Sequence, residues 1–238
     1  MVEPGNLLLP FLRQVPAERL SPTHMDRSLE PELLDSLPPD HPDALHNRRD
    51  IRLTNRAMGN HAWFARVLPT VVRPGERILE IGAGTGELIR RLAENGLAAD
   101  GLDLWPPPPG WPADRVWHQA DLRTFSRWAE YPVVVANLIL HQFADAELRA
   151  LGSALRHARV IAAREPARSR VSQVAYRCFA PIIGANHVSL HDAHVSIAAG
   201  FVGDELPRVL GLDAAAWDIQ SGPAFLGAYV LLAVRRTP

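Results

Sequence analysis

Through residues 1–42 no period of apolar positions is sustained. Short apolar pieces are broken by Pro4, Pro10, Pro16, Pro22, Pro31, Pro38, Pro39 and Pro42, which predicts an irregular arm with one short helix near 31–36. Met25 is a candidate natural start, which would make the first 24 residues a peripheral extension. From 43 to 72 the pattern changes. Leu45, Ile51, Leu53, Met58, Trp63, Phe64, Val67 and Leu68 recur at helical spacing. Asp43 is placed to cap the first helix, and Gly59-Asn60 divides the segment into two. These helices form an N-terminal helical cap, with Trp63 and Phe64 either in its core or closing over a site.

After the turn Arg73-Pro74-Gly75-Glu76, short apolar runs alternate with helical stretches. Strands are predicted at 77–81, 98–104, 116–119, 133–138 and 159–163, and helices at 87–95 and 144–157. This alternation predicts an α/β fold, a Rossmann-like, mostly parallel sheet with helices on both faces. Two further apolar runs, 215–220 and 225–234, are joined by Ser221-Gly222-Pro223-Ala224. So short a link implies an antiparallel hairpin at the end of the sheet. The segment 164–212, between the fifth strand and that hairpin, reads as an insert containing helical pieces.

The most specific motif is Glu80-Ile81-Gly82-Ala83-Gly84-Thr85-Gly86. A buried strand runs into a glycine turn and then a helix, so the backbone can turn tightly and a ligand can approach without Cβ interference. The helix start beyond it presents free N–H groups, suited to a carboxylate. Asp103 ends the next strand about 20 residues on, where an acid can accept from ribose hydroxyls. Asp121 follows the third strand, where it can accept from an adenine amino group. Each feature alone is compatible with an ordinary turn; their order along the chain points to a bound adenosine.

From about residue 77 to 163 the sequence resembles the class I methyltransferases that use S-adenosylmethionine (SAM), in particular the small-molecule enzymes similar to those of ubiquinone and menaquinone biosynthesis. The resemblance implies a seven-stranded sheet with an antiparallel last strand. It implies SAM as cofactor and S-adenosylhomocysteine (SAH) as product. Glu80, Gly82, Ala83, Gly84 and Gly86 would form the first motif, Asp103 and Leu104 the ribose step, Asp121 and Leu122 the adenine step. Asn137, in Asn137-Leu138-Ile139-Leu140-His141-Gln142-Phe143, would lie at the methionine end. Many relatives carry two adjacent histidines here; this chain has Gln142 second. The Asn/Asp-Pro-Pro-Tyr motif of adenine and glutamine N-methyltransferases is absent.

On the acceptor side, methyl transfer needs orientation and a dry site, and a base only if the acceptor is protonated. His141 sits at the carboxyl edge of the sheet, as a base or as a loop histidine bonded to backbone. His191-Asp192 reads as a second base with its orienting carboxylate on a lid, or as a polar helix start capped by Asp192. His187, His191 and His194 admit a metal-binding reading that no family pattern supports, so no metal is expected. The run from Trp105 through four prolines and Gly110 to Trp111 cannot be helix interior. It is a stiff loop beside the adenine or a partner-facing extended piece.

Composition narrows the function classes. The 238 residues carry a formal net charge of −1, which argues against nucleic acid as partner. Every basic residue is arginine, so no lysine Schiff base or phosphate-loop lysine exists. Cys178 is the single cysteine, which excludes an intrachain disulfide. No apolar run reaches the ~18 residues of a membrane span, and no basic leader precedes Leu7, so the chain is read as cytoplasmic. The expected activity is SAM-dependent methylation of a small, largely apolar metabolite, at oxygen first and carbon second. Two alternatives stand: an NAD(P)-dependent oxidoreductase, although Glu87 occupies the third glycine position of its fingerprint, and a catalytically inactive SAM-binding partner subunit.

Overall fold

The computed structural model describes residues 25–38 and 40–236; the candidate start at Met25 and its 24-residue extension turn on residues outside that range. Seven strands form one sheet in the order β3-β2-β1-β4-β5-β7-β6. They are β1 (Ile78–Ile81), β2 (Ala99–Asp103), β3 (Trp117–Gln119), β4 (Val133–Asn137), β5 (Val160–Pro166), β6 (Trp217–Pro223) and β7 (Ala228–Arg235). β7 alone runs against the others, pairing antiparallel with both β5 and β6. The strand order reverses between β1 and β4, so the crevice beyond their carboxyl ends is the place where open α/β sheets bind ligands.

Both faces are covered. α2 (Asn60–Val71) and α3 (Glu87–Ala93) pack on one face through Trp63, Phe64, Leu68, Leu88, Ile89 and Leu92. α4 (Asp145–Ala154) and α7 (Glu205–Val209) cover the other, over Leu79, Ile81, Val134 and Ala136. A strand buried on both faces reads as a continuous apolar run, and all four residues of β1 are buried, including Glu80. Trp63 and Phe64 are therefore core residues, in edge-to-face contact at 5.0 Å, and do not close over a site. α1 (Pro42–Ala57), α5 (Arg170–Phe179) and α6 (His187–Ala199) lie against one another beyond the sheet edge.

Several sequence expectations shift. α1 begins at Pro42 with His41 as its cap, its Nδ1 accepting from the Asp43 amide. Proline's fixed φ suits the first helical position, so Asp43 is one step inside. The short helix near 31–36 is a single 3-10 turn, Leu34–Ser36. β5 runs on past 163 through Arg164, Glu165 and Pro166, because β7 pairs with it along its whole length. The hairpin turn lies at 224–227, not 221–224, for the same pairing reason. The proline run folds back onto the sheet. Trp111 packs edge-on against Trp117 at 4.7 Å and sits so close to Gly86 that a Cβ there would lie 2.4 Å from its ring. It fills the place of a helix between β2 and β3. Among the described residues no helix is long and apolar enough to cross a membrane.

Candidate active site

The glycine loop sits at the carboxyl end of β1, with positive φ at Gly82, Gly84 and Gly86. Its amides are largely satisfied by protein. Those of Gly82 and Ala83 donate to the Leu102 carbonyl and that of Gly86 to the Ala83 carbonyl. The Gly84 amide donates to Asp103 Oδ2 at 2.7 Å, while Asp103 Oδ1 accepts from Trp105 N at 2.9 Å. The space beside Gly84 is open, but a Cβ on Gly82 would meet the Ile139 side chain at 2.6 Å. Leu104 is 61% exposed beside this loop. Asp121 caps its own turn, accepting from the Arg123 amide at 2.8 Å. Leu122 lines an open groove of about 390 Å³ with Phe125, Trp128 and Phe143, whose wall includes neither Glu80 nor Asn137.

Among the described residues three buried side-chain acceptors find no donor: Oε2 of Glu80, Oδ1 of Asn137 and, on α1, Oδ1 of Asn47. Such groups are uncommon and call for an explanation. Burial, with Asp103 adding to it, pushes the Glu80 carboxyl well above the usual carboxylate range. Asn137 ends β4 and donates to Asn55 Oδ1 at 3.1 Å; the His61 Nε2 lies 3.5 Å from the same amide nitrogen. Burial, aided by Arg91, lowers the His61 pKa, so this imidazole is neutral at physiological pH. Arg164, one strand over and in register with Asn137, donates to Asn60 Oδ1 and the Met58 carbonyl, tying the α1–α2 junction to the sheet.

After Asn137 the chain turns through Leu138, a non-glycine residue at φ 57. That conformation is costly for a leucine, and such strain is concentrated at functional sites. The turn aims the next three amides at one carboxylate. Glu165 Oε1 accepts from Ile139 N and Leu140 N, and its Oε2 accepts from His141 N and from His141 Nδ1 at 2.7 Å. The other ring nitrogen of His141 meets Glu32 Oε1 at 3.2 Å. Burial disfavours the charged imidazole, but the bonds to Glu165 and Glu32 outweigh it and push the pKa up to about 9. Both ring nitrogens of His141 are thus engaged by carboxylates. These two carboxylates favour the charged ring and disfavour the role of base expected at this position.

Asp192 also differs from expectation. Asn186 caps α6, and Asp192 lies within the helix, where its carboxylate accepts from the amides of Leu33 and Leu34, from Asn47 Nδ2 and from His191. Its bonds to Leu33 and Leu34 hold the N-terminal arm, and that to Asn47 reaches α1. Among the described residues no three His, Cys, Asp or Glu side chains gather at metal-binding positions. Sequence reasoning missed His61, Glu32, Glu165 and Asn55. Glu165 and Arg164 left a trace, as charges at the end of an apolar strand run. Glu32 left none.

No family model and no curated protein matches the sequence. Solved structures match the fold. The plantazolicin methyltransferase BamL, in complex with a triazolic desmethylPZN analog and SAH, superposes with a TM-score of 0.65 over 86% of this chain and 93% of its own, at 10% identity. The plantazolicin methyltransferase BpumL in complex with SAH gives 0.61 over 83% and 92%, at 14% identity. A protein of echinomycin biosynthesis, from work on conversion of a disulfide bond into a thioacetal group, gives 0.51 over 74% and 80%, at 23% identity. At these identities the likeness establishes the fold alone, which this chain shares with the plantazolicin methyltransferases.

Proposed function

We propose that this chain is a SAM-dependent methyltransferase acting on a small, largely apolar metabolite, at oxygen in preference to carbon. The observation that carries the reading is that two of the three donorless buried acceptors, Glu80 Oε2 and Asn137 Oδ1, lie on the adjacent strands β1 and β4, in the last two residues of each. They match an ammonium group, and a cation beside Glu80 would restore its carboxylate. Asp103 and the open side of Gly84 fit a ribose. SAM would supply an activated methyl group on its sulfonium. The residues of this chain would bind its amino-acid and ribose ends, orient the acceptor and exclude water.

His61 is our choice for proton acceptor where the acceptor needs one: it is neutral and lies beside Asn137. His191 remains a second candidate, oriented by Asp192. Plantazolicin and echinomycin are natural products handled by proteins of this fold, which supports a metabolite as acceptor. The net charge of −1 supports no nucleic-acid partner.

The oxidoreductase alternative is weaker. A pyrophosphate needs free loop amides, and those of Gly82, Ala83, Gly84 and Gly86 are already bonded within the protein. Calorimetry with SAH, SAM and NADH tests the assignment: SAH and SAM bind and NADH does not. Binding of NADH without SAH overturns it. Methyl-labelled SAM incubated with a small-molecule extract then separates an active enzyme from an inactive partner subunit, which transfers no label.

A further inference from the structure

The arm of residues 25–38 is fixed over the site almost wholly by polar contacts. None of its residues is buried, and Leu29 and Leu33 are 43% and 36% exposed. Arg27 donates to the carbonyls of His141, Phe143 and Ala199. Asp192 holds the amides of Leu33 and Leu34. Arg168 donates to the Met25 carbonyl. A segment with so little apolar anchoring opens at a lower free energy than the core it covers.

One contact in the arm differs in kind. Glu32 reaches inward to His141 Nε2, to Gln142 Nε2 and to Ser196 Oγ. From there the contacts are continuous. His141 is bonded to Glu165, Glu165 holds the amides of Ile139 and Leu140, and the Ile139 side chain lies against Gly82 of the cofactor loop. We propose that Glu32 is a positioning residue that couples docking of the arm to the setting of the glycine loop, so that arm closure and cofactor binding favour each other. This inference rests on the SAM reading given above.

The electrostatics explain why one arm residue carries the coupling. The charged and titratable groups around His141 are Glu32, Asp35 and Arg27 on the arm, the last donating to the His141 carbonyl, and Glu165 on β5; Asp192 on α6, bonded to His191, acts on Glu32. With Glu32 seated, the imidazolium is bonded on both sides. With Glu32 withdrawn, a buried cation loses one partner and leans on Glu165 alone, and the amides bound to Glu165 shift with it. Removing one partner of a buried ionic group is costly because the other charge stays buried. The arm thus has a specific closed position without needing an apolar anchor.

The test uses the full chain, its Glu32→Gln and Glu32→Ala variants, and SAH. Hydrogen exchange is followed at the Leu33 and Leu34 amides, and SAH affinity is measured by calorimetry. Coupling is reciprocal between ligands and states. SAH should therefore slow exchange at both amides in the wild-type chain, and the variants should bind SAH at least about fivefold more weakly, the lower end of usual coupling. Glu32→Gln, which keeps a hydrogen-bonding side chain, should lose less than Glu32→Ala. Equal SAH affinity in folded variants, with wild-type exchange unchanged by SAH, overturns the coupling and leaves the cofactor assignment intact. Failure of SAH to bind the wild-type chain overturns the cofactor assignment and the coupling together. The exchange measurement on the wild-type chain decides the matter even if a variant fails to fold.

Discussion

Glu165 Oε2 accepts a hydrogen bond from His141 Nδ1 at 2.7 Å, with both side chains buried. The two residues are 24 positions apart in sequence and belong to different functional segments, the end of β5 and the turn after β4. Their bond favours the charged form of the His141 ring.

Replacing Glu165 with Gln removes the charge that balances His141. Loss of one member of a buried ion pair costs ~3–5 kcal/mol, and the amides of Ile139 and Leu140 lose a charged acceptor as well. Urea unfolding of Glu165→Gln should show a loss of that size. A change under ~1 kcal/mol would mean that the pair is not charged in the folded protein.

The same pair predicts a pH dependence. In the folded protein the His141 pKa stands at about 9, above the ~6.5 of an unfolded chain. A raised pKa gives stability that is complete below the unfolded value and is lost as pH rises through the folded one. The difference in thermal midpoint between wild type and His141→Gln should be constant below pH ~6.5 and narrow as pH passes about 9. A difference that does not vary with pH excludes the imidazolium.

Asp103 joins β2 to the glycine loop through the Gly84 amide. If it holds the ribose, Asp103→Ala leaves hydroxyl donors without a partner and weakens SAH by ~1–3 kcal/mol. Calorimetry on the folded variant measures this. Unchanged affinity removes Asp103 from the site.

His61 and His141 should separate cleanly once an acceptor is in hand. A positioned base is worth ~10²–10⁴-fold in rate. His61→Gln should lose that factor in kcat and keep its SAH affinity. Near-wild-type kcat would leave His191, or catalysis by orientation alone.

Gly152 lies within α4, where helix propensity favours alanine by ~1 kcal/mol. Its surroundings reverse the sign. A Cβ there would stand 2.0 Å from the backbone carbonyl oxygen of Leu210, so α4 and the end of α7 would have to separate. Gly152→Ala should destabilise by ~1–3 kcal/mol, as overpacked sites do. Equilibrium denaturation gives the answer, and a gain in stability would show that this contact is loose.

The sequence by itself determined the parts that are local. Apolar runs of strand length around helical stripes specify the β-α alternation, and positive-φ turns need the glycines of 82–86. The fold and the glycine motif were therefore legible, as was Asp103 at the end of its strand. Tertiary structure decided what depends on partners far along the chain. Periodicity reports which residues avoid water, and it is silent about a polar side chain whose burial is compensated by another. Glu32 meets His141 across 109 positions, and Asp192 meets Leu33 across 159, so neither pairing has a local signature. The full length of β5 is of the same kind: its last residues, Arg164 to Pro166, are strand because β7 pairs with them. His61 looks like an ordinary helical residue until the packing of α2 sets it beside Asn137, where burial keeps its imidazole neutral.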